Sequence, residues 1–145
     1  MPIFEVLNLK HKELVYKLYN LCYRLTGDKN FAQEICLQTM AKLQRDKLLN
    51  HAEGIFIKAA KVAVQLLQEQ EYNPLLGSMT HDEEHLKIQQ ALNYLPLEER
   101  VVIVLKHTYA LTYPEIEEII QYEDVSYLLQ KGRQRLTHIL NTCLQ

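Results

Sequence analysis

Along most of the chain apolar residues recur every three or four positions, the period of a helix with one buried face. Residues 9–25 place Leu14, Val15, Leu18, Leu21, Cys22 and Leu25 on one stripe. A second stripe gathers Ala32, Ile35, Cys36, Thr39, Met40 and Leu43, leaving Gln33, Glu34 and Gln38 outside. From about residue 50 to residue 70 the apolar face widens to take in Ile55, Phe56, Ile57, Ala59, Ala60, Val62, Ala63, Val64, Leu66 and Leu67. Such breadth predicts a helix held between two neighbours. A fourth pattern carries Leu86, Ile88, Ala91 and Leu92, and a fifth runs through Val101, Val102, Ile103, Val104 and Leu105. A short sixth has Ile116, Ile119 and Ile120; a long seventh has Val125, Leu128, Leu129, Gly132, Leu136, Ile139 and Leu140.

Capping residues sharpen these boundaries. In Leu111-Thr112-Tyr113-Pro114-Glu115-Ile116 the Thr112 hydroxyl can accept from the Glu115 N–H while the Glu115 carboxylate reaches back to Thr112. Pro114 falls in the first turn, where its missing N–H costs nothing, and Leu111 and Ile116 can close a hydrophobic staple. Gly27 suits the left-handed end of the first helix and Asp28 the cap of the second. Asn50-His51-Ala52-Glu53 reads as a third capped start, and Thr80-x-x-Glu83 as a capping box for the fourth helix. Asn73-Pro74 and Gly77-Ser78 break the pattern between the third and fourth helices.

The expected fold is therefore all-α: a helical domain over residues 1–70, a linker over 71–85 and a second helical domain over 86–145. The last part reads as a helix-turn-helix, with a short helix, a polar turn over residues 121–124 and a longer helix bearing cations. An ordinary three-helix bundle accounts for the same packing pattern, which alone does not imply DNA. Each half is small enough to be marginal by itself, so the halves are expected to touch each other or a partner.

Charge changes this picture only when divided. The net charge is −2; residues 1–70 hold ten Lys/Arg against seven Asp/Glu, residues 71–85 four acids and no Lys/Arg, and residues 86–145 six against seven. Within the last segment every acid lies at or before Asp124, and Lys131, Arg133 and Arg135 follow it. That local positive charge can meet phosphate, but is small beside the basic stripe of a strong DNA binder.

Little points to catalysis. Cys22, Cys36 and Cys143 form neither a C-x-x-C pair nor an even disulfide set, and a reducing, cytoplasmic setting is expected. His81 and His85 have zinc-pair spacing, yet Asp82 replaces the glutamate of H-E-x-x-H and no third ligand is signalled, so no metal is expected. The four glycines are isolated, with no phosphate-binding loop or nucleophile elbow. No apolar run approaches the roughly 18 residues of a membrane span, so no membrane association is expected. We expect no enzymatic activity and no cofactor.

The order of parts resembles the extracytoplasmic-function sigma factors of bacterial RNA polymerase. Residues 18–42, with Arg24-Leu25-Thr26-Gly27-Asp28 and Phe31-Ala32-Gln33-Glu34-Ile35, resemble the polymerase-binding segment. Leu92-x-x-Leu95-Pro96-x-x-x-Arg100, the Leu111 to Ile120 stretch and Lys131-Gly132-Arg133-x-x-Leu136 resemble the helix-turn-helix. The resemblance implies that the N-terminal domain holds core RNA polymerase and the minus-ten element, and that the C-terminal domain reads the minus-thirty-five element. By position it assigns Glu34, Gln38 and Thr39 to the polymerase and Ser126, Tyr127, Gln130, Lys131, Arg133 and Arg135 to promoter DNA. An anti-sigma factor is a further expected partner.

The chain departs from the family pattern in informative places. Leu37, Gln38 and Met40 replace a glutamine, an acid and a phenylalanine. In the third helix the basic and polar positions that hold melted DNA are occupied by residues such as Val62, Leu66, Glu69 and Gln70. Leu128 stands where an arginine is common, and the helix-turn-helix turn is about two residues short. These departures leave three readings: a divergent sigma factor that binds polymerase and promoter, a sigma mimic that binds only proteins, and a helical DNA-binding regulator independent of polymerase.

Overall fold

A computed structural model describes residues 11–49, 54–70, 83–122 and 124–142, with side chains from residue 87 onward in the third stretch. Among the described residues there are seven helices and no strand: α1 (Lys12–Thr26), α2 (Lys29–Arg45), α3 (Ile55–Glu69), α4 (Glu83–Asn93), α5 (Leu97–His107), α6 (Tyr113–Ile120) and α7 (Val125–Thr142). No described helix is long and apolar enough to cross a membrane.

The local signals act as their chemistry requires. Gly27 takes φ 70° and closes α1 by donating its N–H to the Tyr23 carbonyl at 2.6 Å. Asp28 then caps α2, its Oδ1 accepting from Asn30 at 2.9 Å and Phe31 at 3.1 Å. Thr112 and Glu115 form both arms of the capping box, at 2.9 and 3.3 Å between the backbone nitrogens and the side-chain oxygens. The start of α3 differs from the expected one. The described helix begins at Ile55 with Gly54 in a left-handed conformation and no side-chain cap, while residues 50–53 lie outside the described residues. Residues 71–82, which include most of the expected linker, His81 and Thr80, also lie outside.

One continuous apolar core serves both halves. It joins Leu18, Leu21 and Leu25 of α1, Ile35 and Leu43 of α2 and Leu67 of α3 to Val102 and Leu105 of α5, Ile116 of α6 and Leu129 of α7. Each fully buried leucine contributes roughly 1.5–3 kcal/mol. α1 touches α2 and α3 on one side and α4 and α5 on the other, and α3 packs against both α1/α2 and α6. The wide apolar face of α3 is thus explained: its neighbours come from the N-terminal and the C-terminal half.

Polar atoms fasten the same seam. Arg100 is only 4% exposed, and its guanidinium donates from Nε to Leu92 O at 2.8 Å, from Nη2 to Leu95 O at 2.8 Å and from Nη1 to Leu25 O at 2.6 Å. It therefore satisfies carbonyls at the ends of α1 and α4 together. The Gln89 amide donates to Arg24 O at 2.9 Å and to Asn93 Oδ1 at 3.0 Å, and Tyr109 Oη donates to Lys17 O at 3.2 Å. The Tyr109 and Phe56 rings meet at 5.2 Å, with the Lys17 ammonium 4.3 Å from the Phe56 centroid.

Candidate polymerase and nucleic-acid surfaces

The outer side of α7 is built by its own periodicity. Val125, Leu128, Leu129 and Gly132 turn inward and are buried, and beyond them Leu136, Ile139 and Leu140 are half-buried. Leu128 is 8% exposed, so it is a core residue and not part of the outer face. At Gly132 α7 lies tight against α5: a Cβ there would lie 2.8 Å from Ile103 Cδ1 and 3.3 Å from Glu99 Cβ. Asp124 caps the helix, its Oδ1 accepting from the Tyr127 N–H at 3.0 Å. A carboxylate at this end suits the helix dipole and opposes an incoming phosphate.

Outside the buried stripe, Ser126, Tyr127, Gln130, Arg133 and Arg135 are exposed and Lys131 is half-buried. Ser126, Gln130 and Arg133 share the outermost side of α7, with Tyr127 and Lys131 on one flank, while Arg135 lies half a turn round from Ser126, at the border of the buried stripe. Their cations, however, are engaged. Lys131 Nζ lies 5.1 Å from the centroid of the Tyr127 ring. Arg133 Nε donates to His107 Nε2 at 3.0 Å, a bond that requires an unprotonated imidazole nitrogen. Desolvation, together with the positive charges of Arg133 and Lys106, lowers the His107 pKa below its ordinary 6.5. Arg135 Nε sits 3.0 Å from Glu99 Oε1, and the Glu99 side chain is only 6% exposed. A carboxylate so buried needs a counter-charge, so Arg135 has a structural task within the fold.

The surface assigned to polymerase is less complete. Glu34 and Gln38 are exposed on α2, and Gln38 Oε1 accepts from Gln70 Nε2 at 3.3 Å. Leu37, between them in sequence, is 38% exposed. Thr39 corrects the assignment carried over from the family: it is 0% exposed, its Oγ1 has no hydrogen-bond partner, and it belongs to the buried stripe that its spacing indicates. Glu34 and Gln38 can meet a partner in this conformation and Thr39 cannot.

Two buried charges escaped the sequence reading. Glu99 looks like an ordinary first-turn acid and Arg100 like a surface cation, but both are 4% exposed. The available signal is their place in a helix whose next five residues are all apolar and all buried, which leaves little free surface at its start. Cys22 and Cys36 are fully buried free thiols; burial pushes Cys36 up to about 12 and raises Cys22 as well, which makes both unreactive. Among the described residues no group of three or more His, Cys, Asp or Glu is placed to hold a metal.

No protein-family model matches the chain, and no curated protein matches it by sequence. A solved structure does resemble it. The sigma factor RpoE of Bartonella quintana, in complex with the anti-sigma factor NepR, superposes with a TM-score of 0.74 at 13% identity, over 92% of this chain and 95% of that one. At that identity the likeness is one of fold: the all-helical architecture of this chain resembles that of the sigma factor RpoE.

Proposed function

We propose that the chain is a sigma-factor-like transcription-initiation protein of the cytoplasm, acting by binding and not by catalysis, with core RNA polymerase and promoter DNA as its partners. The observation that carries this reading is that a single superposition, with a TM-score of 0.74, covers 92% of this chain and 95% of a sigma factor. Glu34, Leu37 and Gln38 would offer the polymerase-facing strip, and the outer side of α7 the DNA-facing one. The superposed RpoE is in complex with the anti-sigma factor NepR, which supports a partner of that kind. An anti-sigma protein is accordingly a third partner. Reading DNA with α3 would require α6 to leave it, because α6 packs there in the compact form.

A second reading, a sigma mimic that binds proteins only, is favoured by specific features. The third helix offers α6 an apolar face where a DNA-holding helix would be basic, and Arg133 and Arg135 already have partners within the chain. Run-off transcription with core polymerase, beside a binding assay lacking promoter DNA, separates the two. The first reading expects promoter-dependent transcripts; polymerase binding with no transcript supports the second, and absence of both overturns the pair.

A further inference from the structure

Away from α7 and from the exposed strip of α2, a cavity of about 510 Å³ opens where α1, the start of α2 and α4 meet. Its wall carries Tyr19, Asn20, Tyr23, Arg24, Lys29 and Gln89. Tyr19 and Tyr23 lie one turn apart on α1, are half-buried and both line the cavity. Arg24 and Lys29 are exposed, and among the described residues no ion pair or hydrogen bond engages either charged group. The nearby carboxylate, Asp28, is turned to the N–H groups of Asn30 and Phe31 as the cap of α2.

The groups around this cavity are therefore two cations, two phenols, two amides and the apolar side chain of Ile88. Burial is the main cause that raises the Tyr19 pKa, so its phenol keeps its proton as a hydrogen-bond donor at neutral pH. The volume falls in the range of small-molecule sites, roughly 300–1,000 Å³. A ligand that fits must bring negative charge for Arg24 and Lys29, acceptors for the phenols and the Asn20 amide, and a flat ring for the tyrosines. We propose that the cavity between α1, α2 and α4 is a binding site for a nucleoside phosphate, its phosphates on Arg24 and Lys29 and its base against Tyr19 and Tyr23.

The site spans the seam. α1 and α2 belong to the N-terminal half and α4 to the C-terminal half, and Gln89 joins them at this point by donating to the Arg24 carbonyl. An occupant touching both walls favours the compact arrangement by the amount of its differential affinity for it. The cavity lies within the segment that resembles the polymerase-binding one but apart from Glu34, Leu37 and Gln38 and from α7, and its test uses neither polymerase nor DNA.

The test is a titration of the full chain with ADP, inorganic pyrophosphate and adenosine, followed by the NMR resonances of the tyrosine side chains and by thermal melting. ADP should give saturable shifts at Tyr19 and Tyr23 and raise the melting temperature, with pyrophosphate and adenosine each much weaker. The double variant Arg24→Ala, Lys29→Ala removes two exposed side chains and leaves the Arg24 carbonyl in place, so it should fold with an unchanged circular-dichroism spectrum. It should weaken ADP binding by about tenfold or more, the loss of charge-assisted contacts. No response at millimolar ADP, an undiminished response in the folded double variant, or pyrophosphate equal to ADP would overturn the proposal.

Discussion

Thr112 shows how much one side chain settles. It satisfies two backbone donors at the start of α6 through its pairing with Glu115, and the backbone and side-chain bonds from Thr112 hold the Glu115 carboxyl below its ordinary pKa. Thr112→Ala should cost on the order of 1 kcal/mol in chemical denaturation and move the Glu115 titration back toward its ordinary value. His107 makes a second test at this scale. Its folded-state pKa is depressed, so the stability it lends is complete above its ordinary 6.5 and is lost as pH falls through the lowered folded value. NMR should place the His107 midpoint below 6.5, and the Arg133 Nε–H should lose its hydrogen bond across the same pH range. An unshifted midpoint would mean that Arg133 is free. Single residues of this kind were legible because capping is local chemistry. Thr39 was legible in its buried spacing and misread only where the family pattern was laid over it.

At the scale of the element, periodicity located every described helix, because each must hide one stripe whatever its neighbour is. What it could not supply was the identity of that neighbour. Nothing in the spacing of Val62 and Leu66 says that the third helix faces α6, fifty residues downstream, nor that Arg100 will reach the last carbonyls of α1. Replacing Arg100 with leucine should leave the buried carbonyls of Leu25 and Leu95 without their side-chain donor, and that of Leu92 with the Leu95 N–H alone. We expect a loss of about 3 kcal/mol or more on denaturant unfolding, well beyond an ordinary surface change. Gly132 tests the contact between α5 and α7. Gly132→Leu should destabilise the protein by about 2 kcal/mol by forcing Ile103 and Glu99 away, whereas Gly132→Ala should do less, since the better helix propensity of alanine offsets part of the clash. A neutral leucine variant would show that the two helices are not in close contact.

Across the whole molecule, the shared core and the polar bonds of Arg100, Gln89 and Tyr109 make the two halves one packed unit. That arrangement leaves the outer side of α7 and the Glu34–Gln38 strip open while placing α6 on α3. Fold and function separate here: the helices pack as they do in a sigma factor of 13% identity, and the cations that would meet phosphate are few and partly occupied. Arg135 illustrates the difficulty of reading such a surface from sequence. A cation on the free side of a helix looks available until the buried Glu99 beside it is known. For the same reason Arg135→Ala is expected to lower stability as well as any DNA affinity, and Arg133→Ala is the cleaner probe of phosphate contact. If α7 meets phosphate, that variant should weaken binding alike on all sequences and flatten its salt dependence.

The most direct measurement is competition for core RNA polymerase. Labelled protein mixed with core enzyme should form a saturable one-to-one complex, be displaced by an authentic sigma factor, and lose affinity when Glu34 and Gln38 are changed to alanine. Failure to bind core enzyme, or binding that an authentic sigma factor does not displace, would contradict a sigma-like role.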